Sequence, residues 1–386
     1  MNRVCSIFAQ LLRLLPHAEF QLAVRKHGAE KHAKGFSCWT QLIAMLFCQL
    51  GQARSLREII GGLASSEGKL KHLGVAKAPK RSTLAYANEH RTWELYQTVF
   101  AQVLGKCRSA VGGKTKFRFQ NKLVSLDATS IDLCASLFDW AQYKRTKGAV
   151  KLHLMLDHEG YLPCFAVLTD GRVSDIAIAR KIALQAGTIL VMDRSYIDYA
   201  WLHRLGEQGV YFVTRMKADM RYKVTRKRQT PRRGAVCRDE EITVRSVKYG
   251  LELRLRRVVI WDEVRQEKLT FLTNHMGFAA STIAAVYKDR WQIEIFFKSM
   301  KQLLRVKTFV GTSANALKIQ IWTALIAMLI LKFLQWRARF GWSLSNLVAL
   351  LRYQLFVYRD LYEWLDNPFQ SPPALEPLTG QLVLRF

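Results

Sequence analysis

The sequence predicts an α/β protein in which a mixed sheet with flanking helices carries a β-rich insertion and follows an α-helical N-terminal domain. Three observations predict it. Apolar residues recur at helical spacing through the first 110 or so residues, the pattern then switches to short strand-like runs interleaved with helix signals, and a Lys- and Arg-crowded segment interrupts that alternation over 215–257. At 386 residues the chain has room for two domains and an appendage. The expected division is a helical domain at 1–112, a second domain at 113–340 with the insertion at about 215–268, and a helix with an irregular tail at 341–386.

In the first domain, 39–49, 55–63 and 92–104 have helical spacing, punctuated by Gly61-Gly62 and Pro79. The segment Lys77-Ala78-Pro79-Lys80-Arg81-Ser82-Thr83 reads equally as the turn of a DNA-binding helical unit and as a solvated basic loop. From Lys114 the period becomes that of strands, with a three-strand meander at 122–130, 150–156 and 162–168 turning at Asp157-His158-Glu159-Gly160. Ser174 opens a short helix, and 188–193 is a buried-type strand closed by an aspartate. Asp198 caps a helix over 199–207, and 210–214 is a further strand. After the insertion, 268–273 returns to a core strand. One uninterrupted helix is expected over 279–304, followed by helices at 314–339 and 343–353.

Fifty-nine Lys and Arg against thirty Asp and Glu give a net charge of +29, while 50% hydrophobic and 11% aromatic residues suffice for a sizeable core. Such a folded basic protein is expected to meet a polyanion, either nucleic acid or an anionic membrane surface. The most apolar run, 321–331, is shorter than the roughly twenty residues of a membrane span and reads as a buried core helix, so no membrane role is expected. Seven scattered cysteines without a CxxC pair indicate neither a disulfide framework nor a zinc site and suit a reducing cytosol.

In a chain this poor in acids, a carboxylate closing an apolar strand is informative. Asp127 follows Leu123-Val124-Ser125-Leu126, and Asp193 follows Ile189-Leu190-Val191-Met192. Each is partly desolvated at a strand's end and costly there without a cation or a donor; taken singly, each also reads as an ordinary turn or cap carboxylate. A third carboxylate comes from the helix Tyr287-Lys288-Asp289-Arg290-Trp291-Gln292-Ile293-Glu294, which runs on to Lys301. At about 100° per residue, Tyr287, Arg290, Glu294 and Lys301 share one arc of about 60°, beside the apolar stripe Val286, Ile293, Phe296, Phe297, Met300, Leu303 and Leu304. Trp291 is expected to pack against the fold. Three carboxylates suit hard divalent cations, and with the surrounding Lys and Arg they compose a site for metal-dependent phosphoryl transfer on nucleic acid.

These residues resemble the insertion sequence 4 family of bacterial DDE transposases. Tyr287-x2-Arg290-x3-Glu294-x6-Lys301 matches the family's Tyr-Arg-Glu-Lys signature in spacing, and Asp127 and Asp193 precede it in the order of an Asp-Asp-Glu triad. The resemblance covers about 120–335 and implies a ribonuclease H-like catalytic core with its β insertion between the second Asp and the Glu. It implies Asp127, Asp193 and Glu294 as catalytic ligands of Mg2+ or Mn2+, with Tyr287, Arg290 and Lys301 on DNA-end phosphates. It further implies cleavage exposing a 3′-OH at each transposon end, joining to target DNA, and a homodimer in a synaptic complex on the terminal inverted repeats, in the bacterial cytoplasm at the nucleoid. Arg226, Lys227 and Arg228 in the insertion and Lys147 and Lys151 soon after Asp127 are the further DNA-contact candidates. Relatives that cut through a DNA hairpin can carry a Trp in the strand before the signature helix. Here that strand, Lys268-Leu269-Thr270-Phe271-Leu272-Thr273, has none, and Trp261 one strand earlier is a candidate substitute. Two rival readings remain at this point: a DDE nuclease that does not join ends, and a domesticated, non-catalytic DNA-binding protein.

Overall fold

A computed structural model describes residues 5–31, 33, 35–66, 68–110, 116–134, 138, 140, 142–144, 147–230, 234–303 and 309–370. Six helices come first: α1 (Ile7–Leu12), α2 (His17–Lys26), α3 (Cys38–Leu50), α4 (Leu56–Ala64), α5 (Arg81–His90) and α6 (Glu94–Ala110). Serine caps begin three of them, with Ser6, Ser37 and Ser55 each accepting a backbone N–H of the first turn. Lys77 and Lys80 lie in the loop before α5, but Arg81, Ser82 and Thr83 already form its first turn.

The chain then builds β1 (Leu123–Cys134), β2 (Gln142–Lys144), β3 (Lys147–Asp157), β4 (Leu162–Asp170), α7 (Asp175–Ala179), β5 (Ile189–Met192), α8 (Tyr199–Glu207) and β6 (Tyr211–Arg215). Next come β7 (Lys223–Lys227), β8 (Val236–Ser246), β9 (Leu251–Asp262) and β10 (Glu267–Thr273). All ten strands form one sheet in the order β2-β3-β1-β5-β6-β10-β9-β8-β7, with β4 also paired to β3. Only β1, β5 and β6 run parallel to one another, and the other pairings are antiparallel. The basic insertion is therefore not a separate lobe. Its strand β9 pairs with β10, β10 pairs with β6, and the insertion prolongs the main sheet.

The faces of the parallel trio follow from the pleat, which sends alternate side chains to opposite sides. Val124, Leu126, Leu190, Met192 and Phe212 pack on Trp201, Leu202 and Leu205 of α8. Leu123, Ile189, Val191 and Val213 pack on Ile283 and Val286 of α9 (Ala280–Asp289). The expected single helix is two: α9 ends at Asp289, and α10 (Trp291–Leu303) begins after Arg290. Around that residue the backbone tightens, with Arg290 N–H donating to Tyr287 O and Ile293 N–H to Arg290 O, both to the third residue back. Periodicity reads through such a break because Arg290 keeps helical angles, φ −51° and ψ −31°.

The C-terminal part consists of α11 (Ala314–Arg337), α12 (Leu344–Gln354) and α13 (Leu361–Asp366). The apolar run at 321–331 is the centre of α11, which has 24 residues and is long and apolar enough to cross a membrane. It serves instead as a core helix: Ile319 to Leu331 are all buried, and they share one hydrophobic cluster with α3, α6 and α10. The first 110 residues thus pack around a helix from the far end of the chain. Leu304 and the tail from 371 onward lie outside the described residues.

Candidate active site

The parallel pairing of β1 with β5 ends at Leu126 opposite Met192, so Asp127 and Asp193 are the next residues of neighbouring strands. Asp127 does not close its strand, contrary to the apolar-run reading. β1 continues to Cys134 against β3, with Asp127 opposite Leu154, and it is β5 that stops and leaves the edge beside Asp127 open. Asp193 turns into a short 3-10 helix and accepts the Arg194 N–H at 2.6 Å. Crevices beyond the carboxyl ends of parallel strands are where open α/β sheets bind ligands. Here Asp193 and Arg215 stand at the ends of β5 and β6, Asp127 stands on β1 where its pairing with β5 ends, and all three line a cleft of about 890 Å3.

The helix junction supplies the opposite wall. Arg290 reaches Asp127 Oδ2 with Nη1 at 3.3 Å and Glu294 Oε1 with Nη2 at 2.5 Å, so one guanidinium bridges two of the three carboxylates. Its carbon lies 5.4 Å from the Tyr287 ring centre, and that ring sits 5.0 Å from Phe271 on β10. Burial pushes Asp127 up to about 6; Glu294 and Asp193 add to the rise, and the Ala128 N–H and Arg290 oppose it. Burial likewise raises Tyr287. Lys301 Nζ donates to Ser130 O at 2.7 Å, three residues beyond Asp127 on β1. Among the described residues no three His, Cys, Asp or Glu are already grouped to hold a metal ion, and Arg290 stands between Asp127 and Glu294.

A model of the transposase DDE domain matches residues 118–330, more than half of the chain, with all three carboxylates inside it. The chain belongs to the DDE transposase family. A Sinorhizobium fredii protein named as transposase y4zB is 31% identical over 307 residues, which cover 78% of this chain and 83% of that one. A Geobacillus stearothermophilus protein named as the transposase of insertion sequence element IS5377 is 27% identical over 338 residues, 86% of each. A Synechocystis protein named for insertion sequence element IS4SA is 31% identical over 154 residues, 38% of this chain and 41% of its own. Residues 4–76 match a domain of unknown function, DUF4372.

The transposase thus brings Asp127, Asp193, Tyr287, Arg290 and Glu294 to one cleft and sets Lys301 beside it. The other candidates lie apart. Arg226 and Lys227 are on β7, the edge strand at the far end of the sheet, with Arg228 just past it; Glu241 pairs with Arg226 at 3.7 Å and with Arg228 at 3.2 Å. Lys151 is turned to Asp175 at 3.1 Å and to Val173 O at 2.9 Å, and the Lys147 side chain is outside the described residues. Asp198 is a helix cap, accepting the Trp201 N–H, as its position before 199 indicated.

Sequence reasoning missed Arg194, Arg215 and Lys288 in the cleft wall. Arg194 follows Asp193 directly and Arg215 ends β6 as Asp193 follows β5, so the strand-end criterion would have found both had it not been confined to acids. Trp291 does not pack: it is 53% exposed at the cleft, where Trp261 of β9 also shows.

Proposed function

We propose that this transposase belongs to the insertion sequence 4 family, with Tyr287, Arg290, Glu294 and Lys301 as its signature and a ribonuclease H-like core at 113–340. Residues 1–112 are its end-binding domain, and 341–386 are an appendage. The observation that carries the reading is the convergence of Asp127, Asp193 and Glu294 on one cleft, with Arg290 between two of them.

The donor set fits a divalent cation. It is all carboxylate oxygen, which suits Mg2+ and Mn2+, and Asp127 is pushed up to about 6 by burial with its two acidic neighbours adding to the rise, a strain that a shared cation relieves. Asp127, Asp193 and Glu294 would hold it, Glu294 exchanging Arg290 for the ion. Bound there, such an ion polarises the phosphoryl group and makes attack by water feasible at neutral pH. The protein's own part is to hold the phosphates. Arg290 suits two-point recognition of a phosphate, Arg194, Arg215 and Lys288 line the same wall, and Trp261 faces the cleft where a base could stack. Water first opens the phosphodiester at each transposon end, leaving a 3′-OH. That hydroxyl then attacks a phosphodiester of target DNA, forming one P–O bond as another breaks and releasing a target 3′-OH. Two copies in a synaptic complex present the two ends. Lys147 and Lys227 contact flanking duplex, while Arg226 and Arg228 are already engaged by Glu241 and Lys151 by Asp175. The reaction takes place in the bacterial cytoplasm, at the nucleoid.

The test incubates the protein with labelled terminal-repeat DNA, unlabelled target and Mg2+, beside Asp127→Asn, Asp193→Asn and Glu294→Gln. Parent protein should cleave and join, and the variants should do neither. Variants as active as the parent would refute the assignment, and cleavage by the parent without joining would make it a nuclease.

A further inference from the structure

On the face of β1 that meets α9 and α10, a second chain of polar groups is buried beside the cleft. Ser125 Oγ lies 2.6 Å from His158 Nε2, and His158 Nδ1 lies 2.6 Å from Asp289 Oδ2. All three residues are buried. Serine, histidine and aspartate in this order are the arrangement that activates a nucleophile, but Ser125 has no exposed surface for a substrate to reach. The relay's endpoints suggest a different role. Ser125 precedes Asp127 by two residues, so both side chains leave β1 on the same face. Asp289 closes α9 and immediately precedes Arg290. Two consecutive residues of the helix junction are therefore tied to two alternate residues of one strand. Asp289 reaches Ser125 through His158, and Arg290 reaches Asp127 directly.

The anchor is strongly made. Asp289 also accepts from Lys116 Nζ at 2.6 Å and from the Tyr161 hydroxyl at 3.1 Å. His158 is itself fixed to the strand, its backbone N–H donating to Leu123 O at 3.0 Å. A buried polar network of this kind fixes one geometry because any other leaves its members unpaired. Fixing is needed here. Arg290 occupies the break between two helices, and its partners Asp127 and Glu294 are the groups that must exchange it for other ligands during the reaction.

We propose that Ser125, His158 and Asp289 are positioning residues that clamp the α9–α10 break to β1 and so set where Arg290 stands between Asp127 and Glu294. This rests on the reading of that cleft as the reaction site. The test uses the full chain with His158→Phe, which severs both relay bonds while keeping a ring, and the milder Ser125→Ala, each alone and combined with Arg290→Lys. Single-turnover cleavage of terminal-repeat duplex at saturating DNA, the Kd for that duplex and the melting midpoint are measured together.

His158→Phe should slow cleavage by about 10- to 100-fold and Ser125→Ala by about threefold, with Kd within about twofold of the parent, since misplacement of about 1 Å acts on the rate. Neither should slow the Arg290→Lys enzyme further. Parental rates in both variants overturn the clamp, as do losses that multiply with that of Arg290→Lys or that appear in Kd instead. Should His158→Phe fail to fold, Ser125→Ala decides alone. Asp127→Asn runs alongside: parental cleavage by that variant would condemn the site assignment, whereas an inactive Asp127→Asn beside unaffected relay variants condemns only the clamp.

Discussion

At the outer end of the sheet, Asp239, Glu240 and Glu241 of β8 meet guanidiniums from β9 and from the end of β7. Arg256 holds Asp239 with two bonds of 2.8 and 2.6 Å, Arg257 holds Glu240 at 2.7 Å, and Arg228 reaches Glu241 at 3.2 Å. At the inner end Asp127 and Glu294 share Arg290, and Asp193 takes the backbone N–H of Arg194. The same residue types therefore do opposite work. Three carboxylates matched by four guanidiniums, Arg226, Arg228, Arg256 and Arg257, are neutralised and hold strands in register, and in such pairs the attraction has to offset desolvation. At the inner end two carboxylates share one guanidinium, and Asp127, which burial holds up at about 6 with Glu294 and Asp193 adding to the rise, is a group that an arriving cation can stabilise.

The largest effects should separate the two ends cleanly. Asp127→Asn should lower strand cleavage by about 10^4-fold, the scale seen when a member of a catalytic constellation is removed. Its melting midpoint should hold or rise, because a buried carboxylate with acidic neighbours is a burden on the fold. A variant that loses activity only by unfolding would break the comparison at its inner end. At the outer end the order reverses. Asp239→Ala leaves Arg256, 1% exposed, without its two-point partner and should destabilise the protein by about 3–5 kcal/mol in urea unfolding. Its cleavage rate per folded molecule should stay at the parental value, and a specific loss of cleavage would tie the ladder to the chemistry.

Which parts of this were legible follows from how each is encoded. Asp127 and Asp193 were legible because acids are scarce and each follows an apolar run. Glu294 was legible from its spacing to Arg290 and Lys301. The break at Arg290 was not, since a residue with helical angles leaves the apolar stripe undisturbed on both sides of it. The place of β10 beside β6 and of α11 among the N-terminal helices depends on long-range pairing that local pattern does not carry. Ser125 and His158 looked ordinary, one a small residue in a strand and the other part of the turn Asp157-His158-Glu159-Gly160, and only the fold shows that His158 joins Ser125 to Asp289.

A smaller effect sharpens the account of the outer end. Each phosphate contact in duplex DNA contributes about 0.9 to the slope of log affinity against log salt. Three independent cations at 226, 227 and 228 would therefore contribute nearly three. Glu241 already engages Arg226 and Arg228, so replacing all three with Ala should flatten the slope by about 1, with the fully exposed strand around Lys227 making the contact. A fall near 3 would mean DNA displaces Glu241, and an unchanged slope would remove β7 from the DNA interface.

The smallest effect concerns Asp289, whose buried carboxylate belongs to neither end and sits beneath the cleft. Burial alone would raise its pKa, but hydrogen bonds from His158 and Lys116 outweigh it and hold the group below its ordinary 3.8. The sign of the linkage follows. A carboxylate depressed in the folded state contributes stability that is fully present above its unfolded pKa and is lost as pH falls through the folded value. In the parent, that contribution should disappear below about pH 4. Asp289→Asn should lower the melting midpoint at pH 7 and remove the matching part of the acid-side decline, so that the two curves converge as pH falls. Parallel curves for parent and Asp289→Asn from pH 7 to pH 3 would show that Asp289 is not held ionised by these partners.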